Sequence, residues 1–452
     1  MDLTQGNIRK QLISMAVPAG IGMLFYTLYN VVDTFYAGLI STEALAGLAI
    51  SFPVYFILLA FAVGFGQGTT ALVSNLLGAK KEEDAVYIYI QSLTISLILS
   101  VLIGYITYKI SEPVFIFFGA SDLFLENGLR YMQTLAYGAP FFIFANVINS
   151  FLYAQGDTKK NRNALIIGFI INLIFNPILS LGIGPFPALG TMGIAIATIL
   201  CQIFNVIYLG YFVLKSPLSK KFQFSYCKLQ IKMAIDIFKQ ALPASMNMLL
   251  IGIGFFIIQK YVTGYGASAS AGYGIALRIE QIILLPAIGL NTAVLSMTGQ
   301  NYGAKNFDRI YEAFVTSLKL ALLLMVFGSA ILFLAGEQMA YLFTRDNEVI
   351  KIAGSYLFMA AFLTFVYQVI HQSGSVLSGM KKPTINAFYT LLRLAIIPPF
   401  TFYFFSQTLG LGLNGIWWAI LCSNIIAAFL IFFHMRYLIK KEGLALKTNP
   451  VT

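Results

Sequence analysis

Apolar runs long enough to cross a bilayer as helices recur along the whole chain, and this repetition constrains its fold more than any other feature. They fall at roughly 13–37, 44–75, 86–108, 130–152, 163–183, 190–213, 237–263, 269–300, 311–335, 350–376, 385–406 and 414–437. Of the 452 residues, 58% are hydrophobic and only 10% charged, against about 25% charged in soluble domains. A chain so poor in charge cannot cover itself toward water on all sides. The reading is an all-α polytopic membrane protein with twelve transmembrane helices.

The basic residues test that count. Lys80 and Lys81, Lys159 to Arg162, Lys215 to Lys232, Lys305 and Arg309, and Lys381 and Lys382 lie in alternate connections, with Arg9, Lys10 and Arg436 to Lys447 at the ends. The connections between hold few or none; 38–43, 184–190 and 407–413 have no basic residue. Positive charge gathers on the cytoplasmic side, so both termini are expected there, in the plasma (bacterial inner) membrane. The net charge of +11 is thus spread over loops and forms no stripe for nucleic acid. Cys201, Cys227 and Cys422 imply no disulfide framework. The first apolar run is too long for a signal-peptide core, so the chain is read as mature from its start.

The chain also resembles itself. "AVPA" at 16–19 faces "ALPA" at 241–244, "ALAG" at 44–47 faces "ASAG" at 269–272, and "LLGAK" at 76–80 faces "NYGAK" at 301–305, all at a shift of 225. "QGDTKKNRNA" at 155–164 faces "SGMKKPTINA" at 378–387, and "MGIAIA" at 192–197 faces "NGIWWA" at 414–419. Six helices are followed by six of the same orientation, which predicts two pseudo-symmetric six-helix bundles around a central cleft. The expected division is an N-lobe over 1–214, a cytoplasmic linker over 215–235, a C-lobe over 236–440 and a tail over 441–452.

Two acids, Asp33 and Glu280, lie in span interiors, where a charge costs roughly 2.5–3.5 kcal/mol on insertion scales. The repeat places Ile258 opposite Asp33 and Tyr55 opposite Glu280, so the halves do not share an acid. Topology gathers Asp33, Asn172, Asn176 and Thr198 in one half of the first lobe, with Tyr29 four residues before Asp33. These oxygens are hard ligands, suited to Na⁺; the same carboxylate could instead carry a proton. Glu280, with Arg393 as a candidate partner, is read as either a cation or substrate group or half of an internal ion pair. Arg278, Gln67, Asn291 and His371 complete the candidate substrate-cleft residues.

The stretches "AVPAGIGMLFYTLYNVVDTFYAGLIS", "GFGQGTTALVSNLLGAK", "YAQGDTKKNRNA", "GTMGIAIAT", "ALRIEQIILLPAIGLNTAVLSMTGQNYGA" and "LSGMKKPTINA" together resemble the multidrug and toxic compound extrusion (MATE) transporters over nearly the whole chain. The resemblance implies efflux of lipophilic and cationic drugs in exchange for Na⁺ or H⁺, with no other cofactor. It implies that Asp33 is the coupling acid and that Asn172, Asn176 and Thr198 complete a cation site. Where such a site often has Asp before Pro in the fifth span, this chain has Asn176, one carboxylate instead of two, which leaves the coupling ion open. A monomer is expected, with the lipid bilayer and small molecules as its partners. A lipid-linked oligosaccharide flippase of the same superfamily is the alternative. An embedded enzyme would need a nucleophile–base or metal constellation, and the sequence offers none.

Overall fold

The computed structural model describes residues 1–448, and side chains through residue 445. All regular structure among them is helical. The long helices are α1 (Ile8–Ile40), α2 (Thr42–Gly78), α3 (Glu82–Phe117), α4 (Asp122–Tyr137), α5 (Ala139–Ala154), α6 (Lys159–Leu181) and α7 (Thr191–Leu214), then α8 (Ile231–Thr263), α9 (Ala267–Gly303), α10 (Phe307–Tyr341) and α11 (Asn347–Gly379). α12 (Pro383–Leu391) and α13 (Ile397–Phe402) belong to one span, and α14 (Gly412–Thr448) closes the chain. Eleven spans are long and apolar enough to cross a bilayer, and the bent pair α4–α5 makes a twelfth. Large apolar side chains such as Phe35, Ile98, Phe327, Phe400 and Phe429 are exposed, as lipid-facing positions should be.

Proline explains the two irregular spans. α4 and α5 meet at 48° where Pro140 follows Gly138 at the start of α5; proline has no N–H to donate and clashes with the carbonyl four residues back. In the eleventh span, Pro398 and Pro399 lie between π-helical turns at Leu392–Ile396 and Tyr403–Thr408. Wider turns of this kind often mark functional positions.

The chain forms two compact units. One holds Ile21–Leu249 together with Met1; the other holds Asp2–Gly20 and everything from Leu250 on. The division therefore differs from the lobes expected at 1–214 and 236–440. The opening turns of α1 belong to the second unit and those of α8 to the first, while 215–235 holds two short 3₁₀ turns, Pro217–Lys221 and Phe224–Cys227. The expected tail over 441–452 is instead helical as far as Thr448, and the rest lies outside the described residues.

A close helix crossing explains this membership. In the first unit, a Cβ on Gly64 would run into the backbone of Ser245 on α8, and one on Gly68 would stand 2.8 Å from the Ala241 nitrogen. Gly64 and Gly68, one turn apart, face Ala241 and Ser245, also one turn apart. The second unit repeats the device: a Cβ on Gly289, 225 residues after Gly64, would lie 2.7 Å from the Gly20 nitrogen on α1. Membrane helices associate by such small-residue contacts because lipid supplies no hydrophobic drive between them.

The caps carry the repeat as well. α2, α5, α9 and α11 all end in a left-handed residue: Lys80 (φ 59), Gly156 (φ 76), Lys305 (φ 58) and Lys381 (φ 61). In each, the left-handed residue's N–H bonds three residues back and the next N–H five back, as in Lys80 to Leu77 (3.0 Å) and Lys81 to Leu76 (2.9 Å). This is the Schellman motif. The caps put Gly156 opposite Lys381, a shift of 225. The sequence match had paired Gly156 with Gly379, which instead ends α11 against the Leu295 carbonyl.

Gly64→Val and Gly289→Val are expected to destabilise their units by about 3 kcal/mol or more, because backbone rather than a side-chain tip must move. Gly38→Val, at a position with nothing within 4 Å, serves as control. Yield and thermal midpoint in detergent measure the difference.

Candidate functional site

Within the first unit, α6 and α7 are antiparallel neighbours joined by a loop that folds back on α6. Leu189 N–H donates to Leu179 O (2.9 Å) and Gly190 N–H to Ser180 O (3.1 Å). Gly193 lets α7 start against the Leu179 carbonyl, where any Cβ would clash. The pair thus presents Asn172 and Asn176, one turn apart on α6, beside Thr198 on α7.

α1 brings Asp33 to these three side chains. Asn172 Nδ2 donates to Asp33 Oδ1 at 3.1 Å, Asn176 Nδ2 to the same oxygen at 2.8 Å, and Thr198 Oγ1 to Oδ2 at 2.9 Å. Asp33 is 4% exposed, and both asparagines are fully buried. Among the described residues, no cationic side chain pairs with the carboxylate. Asn176 Nδ2 also lies 3.3 Å from Asn172 Oδ1, while Asn176 Oδ1 has no partner. A half-turn of the Asn176 amide would exchange a donor for an acceptor at the carboxylate. The arrangement can therefore hold a bare carboxylate by donors, or offer oxygens to an incoming cation.

Tyr29 sits one turn below Asp33, but its hydroxyl donates to the Leu165 carbonyl of α6 at 2.7 Å. Gly168 makes room for it, since a Cβ there would collide with the Tyr29 hydroxyl. Tyr29 thus ties α1 to α6 below the carboxylate. Cys201, one turn along α7 from Thr198, donates to the Gly168 carbonyl at 3.2 Å. Sequence reasoning missed Gly168 and Cys201, although the three-residue spacing of Thr198 and Cys201 was a usable signal. It also missed the Tyr26–Tyr55 hydroxyl pair (2.9 Å).

The second unit separates its candidates. Glu280 on α9 is 4% exposed, and its Oε2 accepts from the Tyr356 hydroxyl at 2.9 Å. The candidate ion pair with Arg393 does not form: Arg393 Nη1 donates to Asn424 Oδ1 at 3.0 Å, and its guanidinium lies over the Tyr367 ring at 5.9 Å. Asn291 accepts from Gln372 Nε2 (2.9 Å), and Gln372 in turn accepts from Ser317 (3.1 Å). His371 is half-buried, with its ring 6.2 Å from that of Tyr367. Arg278 is exposed, as is Gln67 in the first unit.

A family model described as MatE matches this chain twice, over residues 18–178 and 243–403. The chain is 25% identical over 409 residues to "Probable multidrug resistance protein YoeA" of Bacillus subtilis, covering 89% of this chain and 88% of the relative. It is 26% identical over 396 residues to an FAD transporter of Shewanella oneidensis, covering 87% of each. It is 25% identical over 435 residues to the multidrug export protein MepA of Staphylococcus haemolyticus, covering 95% and 93%. Among solved structures, a MATE in complex with MaL6 superposes with a TM-score of 0.90 at 27% identity, covering 99% of both chains. A MOP superfamily transporter from Pyrococcus furiosus, described as having a binding pocket of reverse polarity, also gives 0.90, at 26% identity and 98% coverage of each.

Thr198→Val would leave Asp33 Oδ2 without its donor and is expected to cost about 1–3 kcal/mol. The thermal midpoint in detergent should fall accordingly, and Thr198→Ser should recover it.

Proposed function

This chain belongs to the multidrug and toxic compound extrusion family, its two halves each matching the family model, and from that premise we propose that it is an antiporter. It exports lipophilic and cationic organic compounds in exchange for Na⁺ or H⁺. The observation that carries the reading is Asp33, a buried carboxylate held by three neutral donors and, among the described residues, by no cation. A charge left uncompensated in this way attracts whichever small cation reaches it.

In the proposed cycle, the ionised Asp33 belongs to the drug-binding state facing the cytoplasm. Na⁺ or H⁺ entering from outside neutralises it, loosens the asparagine and threonine donors, and favours the state that releases the drug. For Na⁺, Asn172 and Asn176 turn their amide oxygens inward and Thr198 offers its hydroxyl. For H⁺, the same donors need only lengthen. The exported multidrug substrates of MepA and the name of the Bacillus relative support the cargo class. The alternation of basic loops supports a plasma-membrane location with both termini in the cytoplasm.

Asp33→Asn should insert and fold, because an amide can still accept from Thr198, but it should drop ethidium efflux at least about tenfold, the equivalent of ~1.4 kcal/mol. Efflux from cells under imposed Na⁺ or pH gradients reads both the activity and the ion. Unimpaired extrusion by the variant would remove the mechanism. Asn176→Asp, which adds the second carboxylate, should strengthen dependence on Na⁺ over H⁺ in the same assay. Export of FAD without export of dyes would replace the cargo class by that of the Shewanella relative.

A further inference from the structure

We propose that the connection between α7 and α8, residues 215–232, docks on anionic phospholipid headgroups, with Phe224 seated at the acyl boundary beneath them. Three observations within the first unit carry this. First, the connection is held in one shape. Ser216 Oγ donates to Gln155 Oε1, just past the end of α5, at 2.8 Å. Gln91 on α3 grips the far end with its whole amide: Nε2 donates to the Tyr226 and Lys228 carbonyls, and Oε1 accepts from the Gln230 N–H at 3.0 Å. The Tyr226 ring stacks on Tyr87 at 4.3 Å, and Phe222 packs against Tyr89 and Phe151. Anchoring at both ends fixes which side chains turn inward and which turn out.

Second, Phe224 turns out. It stands between the inward-packed Phe222 and Tyr226, yet is 99% exposed. Its surroundings continue the lipid-facing surface. On α7, Ile207, Tyr211 and Leu214 are exposed at the i, i+4, i+7 spacing of one helix face, and on α8 the exposed Ile231 and Ile235 lie one turn apart. The connection therefore begins and ends where two lipid-facing stripes end, at the level of the headgroups. Aromatic rings favour that level, and an apolar side chain left in water there gains by entering the acyl boundary.

Third, the charge is of one sign. Residues 215–232 hold Lys215, Lys220, Lys221, Lys228 and Lys232 and no acid. Lys221 pairs with Glu82 at 2.7 Å, and Lys215 Nζ lies over the Tyr211 ring at 4.5 Å. Lys220, Lys228 and Lys232 are exposed, and among the described residues no carboxylate pairs with them. Three free ammonium groups flanking an apolar tip match a surface that has phosphates outside and hydrocarbon beneath. A second copy of the chain meeting this face would set lysine against lysine. On the proposed topology, the lipids are those of the cytoplasmic leaflet.

Two measurements on the full-length protein test this. In native mass spectrometry with phosphatidylglycerol competing against phosphatidylcholine, the combined Lys220→Gln, Lys228→Gln and Lys232→Gln variant should lose bound phosphatidylglycerol about tenfold or more. Lys10→Gln, Lys440→Gln and Lys441→Gln, which remove three exposed lysines of the second unit, should leave it in place. Equal loss in the two variants, or none in the first, overturns the proposal. For the second measurement, a spin label is placed by Phe224→Cys in a chain with Cys227→Ser and Cys422→Ala, which leaves only the buried Cys201. In nanodiscs containing phosphatidylglycerol the label should be open to oxygen and shielded from a water-soluble nickel chelate; in phosphatidylcholine alone it should be open to nickel. Equal accessibility in the two lipids overturns the proposal, as does shielding accompanied by label–label broadening, which would mark a second copy. If the lysine variant fails to insert, the label alone decides. Neither readout uses efflux, so failure of the antiport reading would leave this result untouched.

Discussion

The first unit is organised around one carboxylate that the membrane should exclude. Asp33 is kept by three hydrogen bonds from two other helices, each donor neutral. Every nearby feature serves that arrangement. The α6–α7 loop sets the helix pair, Gly193 permits their close approach, and the Tyr29 bond to Leu165 ties α1 to α6. Neutral donors hold a charge without cancelling it. A permanent Lys or Arg partner would have made the same Asp a structural ion pair with nothing left to exchange.

The duplication has been used unevenly. Both units keep the close crossing, at Gly64 against Ser245 and at Gly289 against Gly20, and both keep the left-handed caps. These are backbone devices, and they follow the 225-residue offset. The buried acids do not. Asp33 and Glu280 sit on α1 and α9, which are not repeat partners, and their environments differ: Asp33 collects three donors, Glu280 the Tyr356 hydroxyl alone. The repeat specifies the scaffold, and single substitutions then specify the chemistry of each half.

Much of this was legible in the sequence, for identifiable reasons. Hydropathy marks spans because hydrocarbon leaves a backbone no partner but itself, so all twelve were found. The i, i+4 spacing of Asn172 and Asn176, together with counting turns in from the loops, brought Asp33, Asn176 and Thr198 together correctly. What failed was long-range. Glu280 and Arg393 looked like partners because each seemed to lack one, but Asn424, on a third helix, takes the guanidinium. Which unit the opening turns of α1 join depends on where two glycine surfaces meet, and no local pattern announces that. The matched glycines Gly156 and Gly379 misled because identical residues were doing different work.

The lysines at the helix ends have a consequence for engineering. Lys80, Lys305 and Lys381 each hold a left-handed conformation that a side chain resists, at about 1 kcal/mol or more apiece, where Gly156 holds it freely. Under the proposed topology, the same three residues belong to the basic clusters that orient an inserting chain. Topology signal and backbone strain thus fall on the same three residues. A stabilising campaign that replaced these lysines with glycine would relax the folded state while erasing part of the address by which the chain finds its orientation.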